Sequence, residues 1–151
     1  MIKNILSYFS ILCLVSHFTL TELKSEILNS IVVTVGNSIV TSVDVQNEII
    51  TNLILNKLKI SQVNIDNNKD YSVKSLISKQ IKKNEINKYK ITSYNKKDLK
   101  EYIVKIAKTQ NTDVDGLKKI FNNYNINYES FLEKHKIELL WNTLIYQIYN
   151  N

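Results

Sequence analysis

Residues 31–49, with the sequence IVVTVGNSIVTSVDVQNEI, carry the clearest structural signal in this chain. Two runs rich in β-branched residues flank Gly36-Asn37, a dipeptide that adopts the positive φ of a tight hairpin turn at little cost. The second run leads into Thr41-Ser-Val-Asp44, a capping-box pattern in which the Asp44 carboxylate accepts a hydrogen bond from the backbone N–H of Thr41. The stretch therefore predicts a β-hairpin that leads directly into a capped helix.

The chain begins with a segment typical of a secretory signal, because one positive charge, Lys3, precedes an apolar run. Residues 1–25 are predicted to be a signal peptide, with Ser25 the best cleavage candidate and Ser16 a poorer one. An uncleaved N-terminal anchor is the alternative. Cys13 lies inside this run, so the remaining chain has no cysteine. This fits an oxidising compartment and excludes both a disulfide scaffold and a thiolate metal site.

The length of 151 residues suits one domain, which we place at residues 26–151. The formal net charge is +6, and all 20 basic residues are lysine. Proteins that bind nucleic acids usually place arginine at phosphates and bases, where its planar guanidinium forms paired hydrogen bonds. The composition therefore argues against nucleic-acid binding.

Apolar residues at helical spacing, with caps between them, predict a mainly α fold: about five helices after a short N-terminal β-hairpin. The expected helices cover Ser42–Leu58, Ser72–Tyr89, a segment capped by Asn95-Lys-Lys-Asp98, a segment opened by a capping box at Thr112-Asp-Val-Asp115, and Tyr128–Tyr149. A polar loop is expected over Ser61–Asp70, and Asn125 is expected in the left-handed position that ends the fourth helix. The predicted core includes Tyr102, Phe121, Tyr124, Phe131, Trp141 and Ile148.

The residues needed for catalysis are scarce. The two glycines are explained by a turn and a helix, so no phosphate-binding loop is predicted. His135 lies between two lysines and is expected to be a surface residue rather than a catalytic or metal-binding one. Helix capping or loop solubility better explains two pairs of carboxylates, Asp66 with Asp70 and Asp113 with Asp115. We therefore expect no enzyme activity, no cofactor and no metal.

Three stretches together resemble the N-terminal domain of SurA-type periplasmic chaperones. Residues 32–44 are similar to that family's opening hairpin and first helix cap, residues 98–111 to its third helix, and residues 124–140 to the turn into its long last helix. The resemblance implies a periplasmic helical module that holds unfolded outer-membrane proteins without ATP. The chain departs from the family because it ends at Asn151, where parvulin-type isomerase domains and a C-terminal packing segment normally follow. Isomerase activity is therefore not implied.

The leading hypothesis is an exported, ATP-independent holdase whose partners are unfolded polypeptides. The alternative is an adaptor or structural subunit that binds one defined periplasmic partner, and a basic nucleic-acid binder is a third reading. A homodimer is possible, and membrane contact is expected only through a retained signal. In the last helix, Leu139, Tyr146 and Tyr149 lie at the edge of the predicted core stripe. We expect these three side chains to contact a client or a second copy of the chain.

Overall fold

A computed structural model describes residues 30–150 of the chain. The elements in chain order are β1 (Ile31–Val35), β2 (Ser38–Thr41), α1 (Ser42–Leu55), α2 (Gln62–Lys88), α3 (Lys96–Thr109), α4 (Val114–Asn123) and α5 (Tyr128–Tyr149). The predicted fold class, five helices preceded by a two-stranded antiparallel hairpin, is confirmed. The predicted signal peptide lies outside the described residues. Within residues 30–150, every helix is too short or too polar to cross a membrane.

The hairpin and the first helix cap form as the local sequence predicts. Gly36 occupies the first central position of the turn with a φ of 58°, which matches a type II′ connection. The Thr41 hydroxyl accepts a hydrogen bond from the N–H of Asp44 at 3.2 Å, and the Asp44 carboxylate accepts one from the N–H of Thr41 at 2.8 Å. This capping box begins α1 at the last residue of β2, so strand and helix are joined without a loop.

The second helix begins ten residues earlier than the sequence pattern indicates. The polar loop predicted over Ser61–Asp70 is wrong, because Ser61 is an N-cap and α2 starts at Gln62. Ile65 and Val73 pack against apolar residues of α1, and this tertiary contact stabilises a segment whose asparagines and aspartates have low helix propensity. Asp66 accordingly lies on a helix, where its carboxylate accepts a hydrogen bond from the Gln62 amide at 2.9 Å.

The cap of the fourth helix is displaced by one residue from its predicted place. Asp113, rather than Thr112, is the N-cap, and its carboxylate accepts a hydrogen bond from the N–H of Gly116 at 2.8 Å. The third helix does begin after Asn95, as expected.

Four helices end in the same way, with a left-handed residue that is not glycine. The residues with positive φ are Lys57, Lys90, Asn111 and Asn125. At each of them the following N–H donates to a carbonyl five residues earlier, which is the hydrogen bond of a Schellman motif. This ending was predicted for Asn125 and is confirmed there. At Lys57 it stops α1 at Leu55, three residues before the predicted end.

The core of the described residues consists of three apolar clusters. The hairpin cluster joins β2, α1 and α2 and contains Val40, Val45, Ile49, Leu53 and Leu76. The α4 cluster joins α3, α4 and the start of α5 and contains Ile103, Ala107, Leu117, Phe121, Ile126 and Phe131. The α5 cluster joins the ends of α2 and α5 and contains Ile86, Ile137, Leu140 and Leu144.

Three predicted core positions are wrong. Tyr102, Tyr124 and Ile148 are exposed, whereas the predicted Phe121 and Phe131 are buried and Trp141 is half-buried. Both tyrosines lie beside buried apolar neighbours on their helices but stay partly exposed, as amphipathic aromatic side chains commonly do.

Candidate functional site

The end of α5 presents the strongly exposed aromatic side chains that the sequence singled out. Tyr146 is 68% exposed and Tyr149 is 79% exposed. The first lies two helical turns after Leu139 and the second one further turn along, so the three share one side of the helix. We call this set the α5 stripe. Its contact with a client remains a prediction.

Leu139 differs from the two tyrosines because it is half-buried. It lines a shallow pocket of about 370 Å³ together with Leu99 and Tyr102. Asp98 and Glu138 line the same pocket. The α5 stripe therefore begins in a small apolar depression between α3 and α5 and continues toward the end of α5 as exposed aromatic surface.

His135 is half-buried, which corrects its predicted place on the surface. Its ring packs between Tyr102, with ring centroids 4.4 Å apart, and Phe131, with ring centroids 4.6 Å apart. Burial, reinforced by the adjacent Lys134 charge, lowers the pKa of His135 to about 4. The imidazole is therefore neutral near pH 7 and joins α3 to α5 through ring contacts.

A polar cleft of about 450 Å³ lies on the other side of His135, between α1, α2 and α5. At its base the buried Glu48 carboxylate is paired with the Lys134 ammonium and accepts a hydrogen bond from the Ser75 hydroxyl at 2.9 Å. One acidic side chain thus joins three helices.

Further ion pairs join α2 to α5. Lys82 Nζ lies 2.5 Å from Glu138 Oε2, and Lys83 Nζ lies 2.7 Å from Glu133 Oε1. The Lys83 hydrogen bond also lowers the pKa of Glu133. Two lysines of α2 are therefore paired with carboxylates of α5.

Two further acidic side chains also have neighbouring partners. Among residues 30–150, histidine, cysteine, aspartate and glutamate form no group of three or more that could hold a metal ion. Asp113 caps a helix, and Asp115 pairs with Lys118 at 3.3 Å. The surface also carries exposed aromatic and aliphatic side chains, which can contact other apolar groups.

Comparisons with known proteins give no family assignment for this chain. The chain matches no protein-family model, and neither a curated protein nor a solved structure is similar to it.

Sequence reasoning missed the polar cleft because its members are far apart in the chain. Glu48 and Lys134 are separated by 86 residues. A partial signal was present, since Glu48 lies one turn after Val45 and directly before Ile49, on the apolar side of α1. A carboxylate at such a position predicts a buried partner, although the sequence does not identify that partner.

Proposed function

We propose that this protein is an exported, ATP-independent chaperone that holds unfolded periplasmic or outer-membrane proteins. The observation that carries the proposal is the α5 stripe, in which two largely exposed tyrosines extend from a small apolar depression. Contacts of this kind bind apolar segments of many sequences, because apolar burial has no directional requirement.

The hairpin adds a second element suited to unfolded chains. Within the described residues the sheet has two strands, so each strand has one edge without a strand partner. Ile31, Val32 and Ile39 are exposed on this hairpin. An extended polypeptide can add to such an edge through main-chain hydrogen bonds, which are independent of side-chain identity.

A light-scattering assay with an unfolded outer-membrane protein tests the proposal. At an equimolar ratio the wild-type protein should suppress aggregation without ATP. The double variant Tyr146→Ser/Tyr149→Ser should require about five times more protein for the same suppression, because two exposed aromatic contacts are removed. Its helical circular dichroism and melting temperature should stay close to those of the wild type, since substitutions at exposed positions cost little stability.

The matched control is Tyr71→Ser/Tyr89→Ser, which also removes two exposed tyrosines and leaves the net charge unchanged. It should suppress aggregation as the wild type does. If the wild-type protein leaves aggregation unchanged, the holdase proposal is wrong. If a pull-down recovers one folded protein reproducibly, the adaptor reading replaces it.

A further inference from the structure

A second apolar surface lies away from the α5 stripe, at the end of α1. It is a groove of about 600 Å³ between the end of α1, the following segment, the end of α3 and α4. We call it the α1–α4 groove. Its lining residues are Ile54, Lys57, Leu58, Lys59, Ile60, Gln110, Ile120 and Tyr124.

The groove is held in shape by the way α1 ends. The left-handed backbone of Lys57 reverses the chain, and the N–H of Leu58 then donates to the carbonyl of Leu53 at 2.8 Å. The Gln110 amide donates to the Leu55 carbonyl at 2.9 Å and joins the end of α3 to the end of α1. Because these contacts fix the main chain at the end of α1, little ordering of the backbone there is required on binding.

The groove leaves apolar side chains open to solvent. Leu58 is 46% exposed, Ile60 is 36% exposed and Tyr124 is 49% exposed, while Ile54 and Ile120 behind them pack against the α4 cluster. The open side chains therefore continue an apolar surface that begins in the core. A ligand seated here would cover this surface and gain the free energy of apolar burial.

The charge of the groove distinguishes it from the pocket beside the α5 stripe. Of the described residues that line the groove, Lys57 and Lys59 are the charged ones, and a carboxylate is not among them. The pocket at Leu139 is instead lined by Asp98 and Glu138. A negative group adjoining apolar side chains is thus favoured in the groove, where two lysines line it; the other pocket has no lysine among the described residues of its lining, and its Glu138 is already paired with Lys82.

We infer that the α1–α4 groove binds an extended segment of an unfolded client in which apolar side chains adjoin an aspartate or glutamate. The inference rests on the proposed function and deepens it, because it names the kind of segment that this chaperone selects. Apolar side chains of the segment lie against Leu58, Ile60 and Tyr124, and its carboxylate lies near the two lysines.

The experiment uses two fluorescein-labelled peptides of about ten residues, each with alternating Leu and Phe; one carries Asp between them and the other Lys. Anisotropy titration of the wild-type protein at about 50 mM salt should show at least about tenfold tighter binding of the Asp peptide. The preference should shrink at about 500 mM salt, where exposed charges are screened. The variant Lys57→Gln/Lys59→Gln should lose the preference while retaining binding.

The variant Ile60→Ser/Tyr124→Ser should bind the Asp peptide about tenfold more weakly, since two apolar contacts are lost. Its matched control is Ile81→Ser/Tyr89→Ser. That control removes one isoleucine and one tyrosine of comparable exposure, and Tyr89 caps a helix as Tyr124 does. Circular dichroism of both variants establishes that they are folded.

Three results would overturn the inference. The first is equal affinity of Ile60→Ser/Tyr124→Ser and its control for the Asp peptide, and the second is a preference of the wild type for the Lys peptide. The third is that Ile60→Ser/Tyr124→Ser, the groove variant, loses a dimer instead of peptide binding. The last result would assign the groove to contact between two copies. Aggregation assays separate the two proposals. If the groove variant suppresses aggregation as fully as the wild type and also binds the peptide unchanged, the groove proposal is wrong and the holdase proposal stands. If the peptide binds at the groove but the wild-type protein does not suppress aggregation, the holdase proposal alone is wrong.

Discussion

The half-buried His135 makes the stability of this protein depend on pH in a range where most other side chains keep their charge. The ordinary histidine pKa is 6.5, and that of His135 is lowered to about 4. The unfolded chain therefore binds a proton at this residue as the pH falls through about 6.5, whereas the folded protein stays unprotonated until about pH 4. The stabilisation from neutral His135 is complete above the unfolded pKa and is lost as the pH falls toward the folded pKa.

The size of the loss follows from the shift and from the surroundings of the ring. A shift from 6.5 to about 4 corresponds to about 3 kcal/mol for a fully enclosed group. Only part of this free energy is lost above about pH 5, because the folded pKa lies lower still, and contact of the ring with solvent reduces the loss further. We therefore expect a loss of about 1 to 2 kcal/mol in the free energy of unfolding between about pH 7.5 and about pH 5.

Urea unfolding followed by circular dichroism measures this loss in the wild type and in His135→Phe. Phenylalanine keeps an aromatic ring between Tyr102 and Phe131 but cannot bind a proton, so its unfolding free energy should change much less over the same range. Glu133 does not interfere, because its lowered pKa places the loss of its contribution at more acidic pH. Equal pH dependence in the two proteins would refute the reasoning, as would a wild type that is equally stable at both pH values.

Three further predictions concern the fold that supports the α5 stripe and the α1–α4 groove. Glu48→Gln leaves the Lys134 ammonium without its carboxylate and should lower the unfolding free energy by about 2 kcal/mol. A double-mutant cycle with Lys134→Met measures the coupling between the two side chains. Simple additivity of the two single-variant effects would contradict the ion pair. Phe121→Ala removes a fully buried ring and should cost about 3 to 5 kcal/mol in urea unfolding, so an unchanged midpoint would remove this ring from the core. Lys90→Gly should raise the unfolding free energy by up to about 1 kcal/mol, because glycine adopts the φ of 55° at this position without strain. Lys100→Gly, within α3, should lower it by about 1 kcal/mol. Calorimetry of both variants shows whether the two changes in stability have these opposite signs.

The sequence by itself determined the features that depend on a few neighbouring residues. The turn at Gly36, the capping box at Thr41 and the left-handed ending at Asn125 could all be predicted, because each needs only the backbone preferences and short side-chain contacts of adjacent positions. The number of helices followed from the spacing of apolar residues, which reports which face each helix buries. The exposure of Tyr146 and Tyr149 followed from the same spacing.

The tertiary structure alone decided which distant groups meet. The start of α2 at Gln62 depends on packing of Ile65 against α1, since the local asparagines and aspartates favour caps and turns as readily as a helix. Glu48 is paired with Lys134 because α1 and α5 both pack against α2, and His135 is half-buried because α3 places Tyr102 against it. Helical periodicity predicts that a side chain faces inward. The identity of its partner depends on how whole helices pack in space, and the spacing of residues within one helix does not specify that packing.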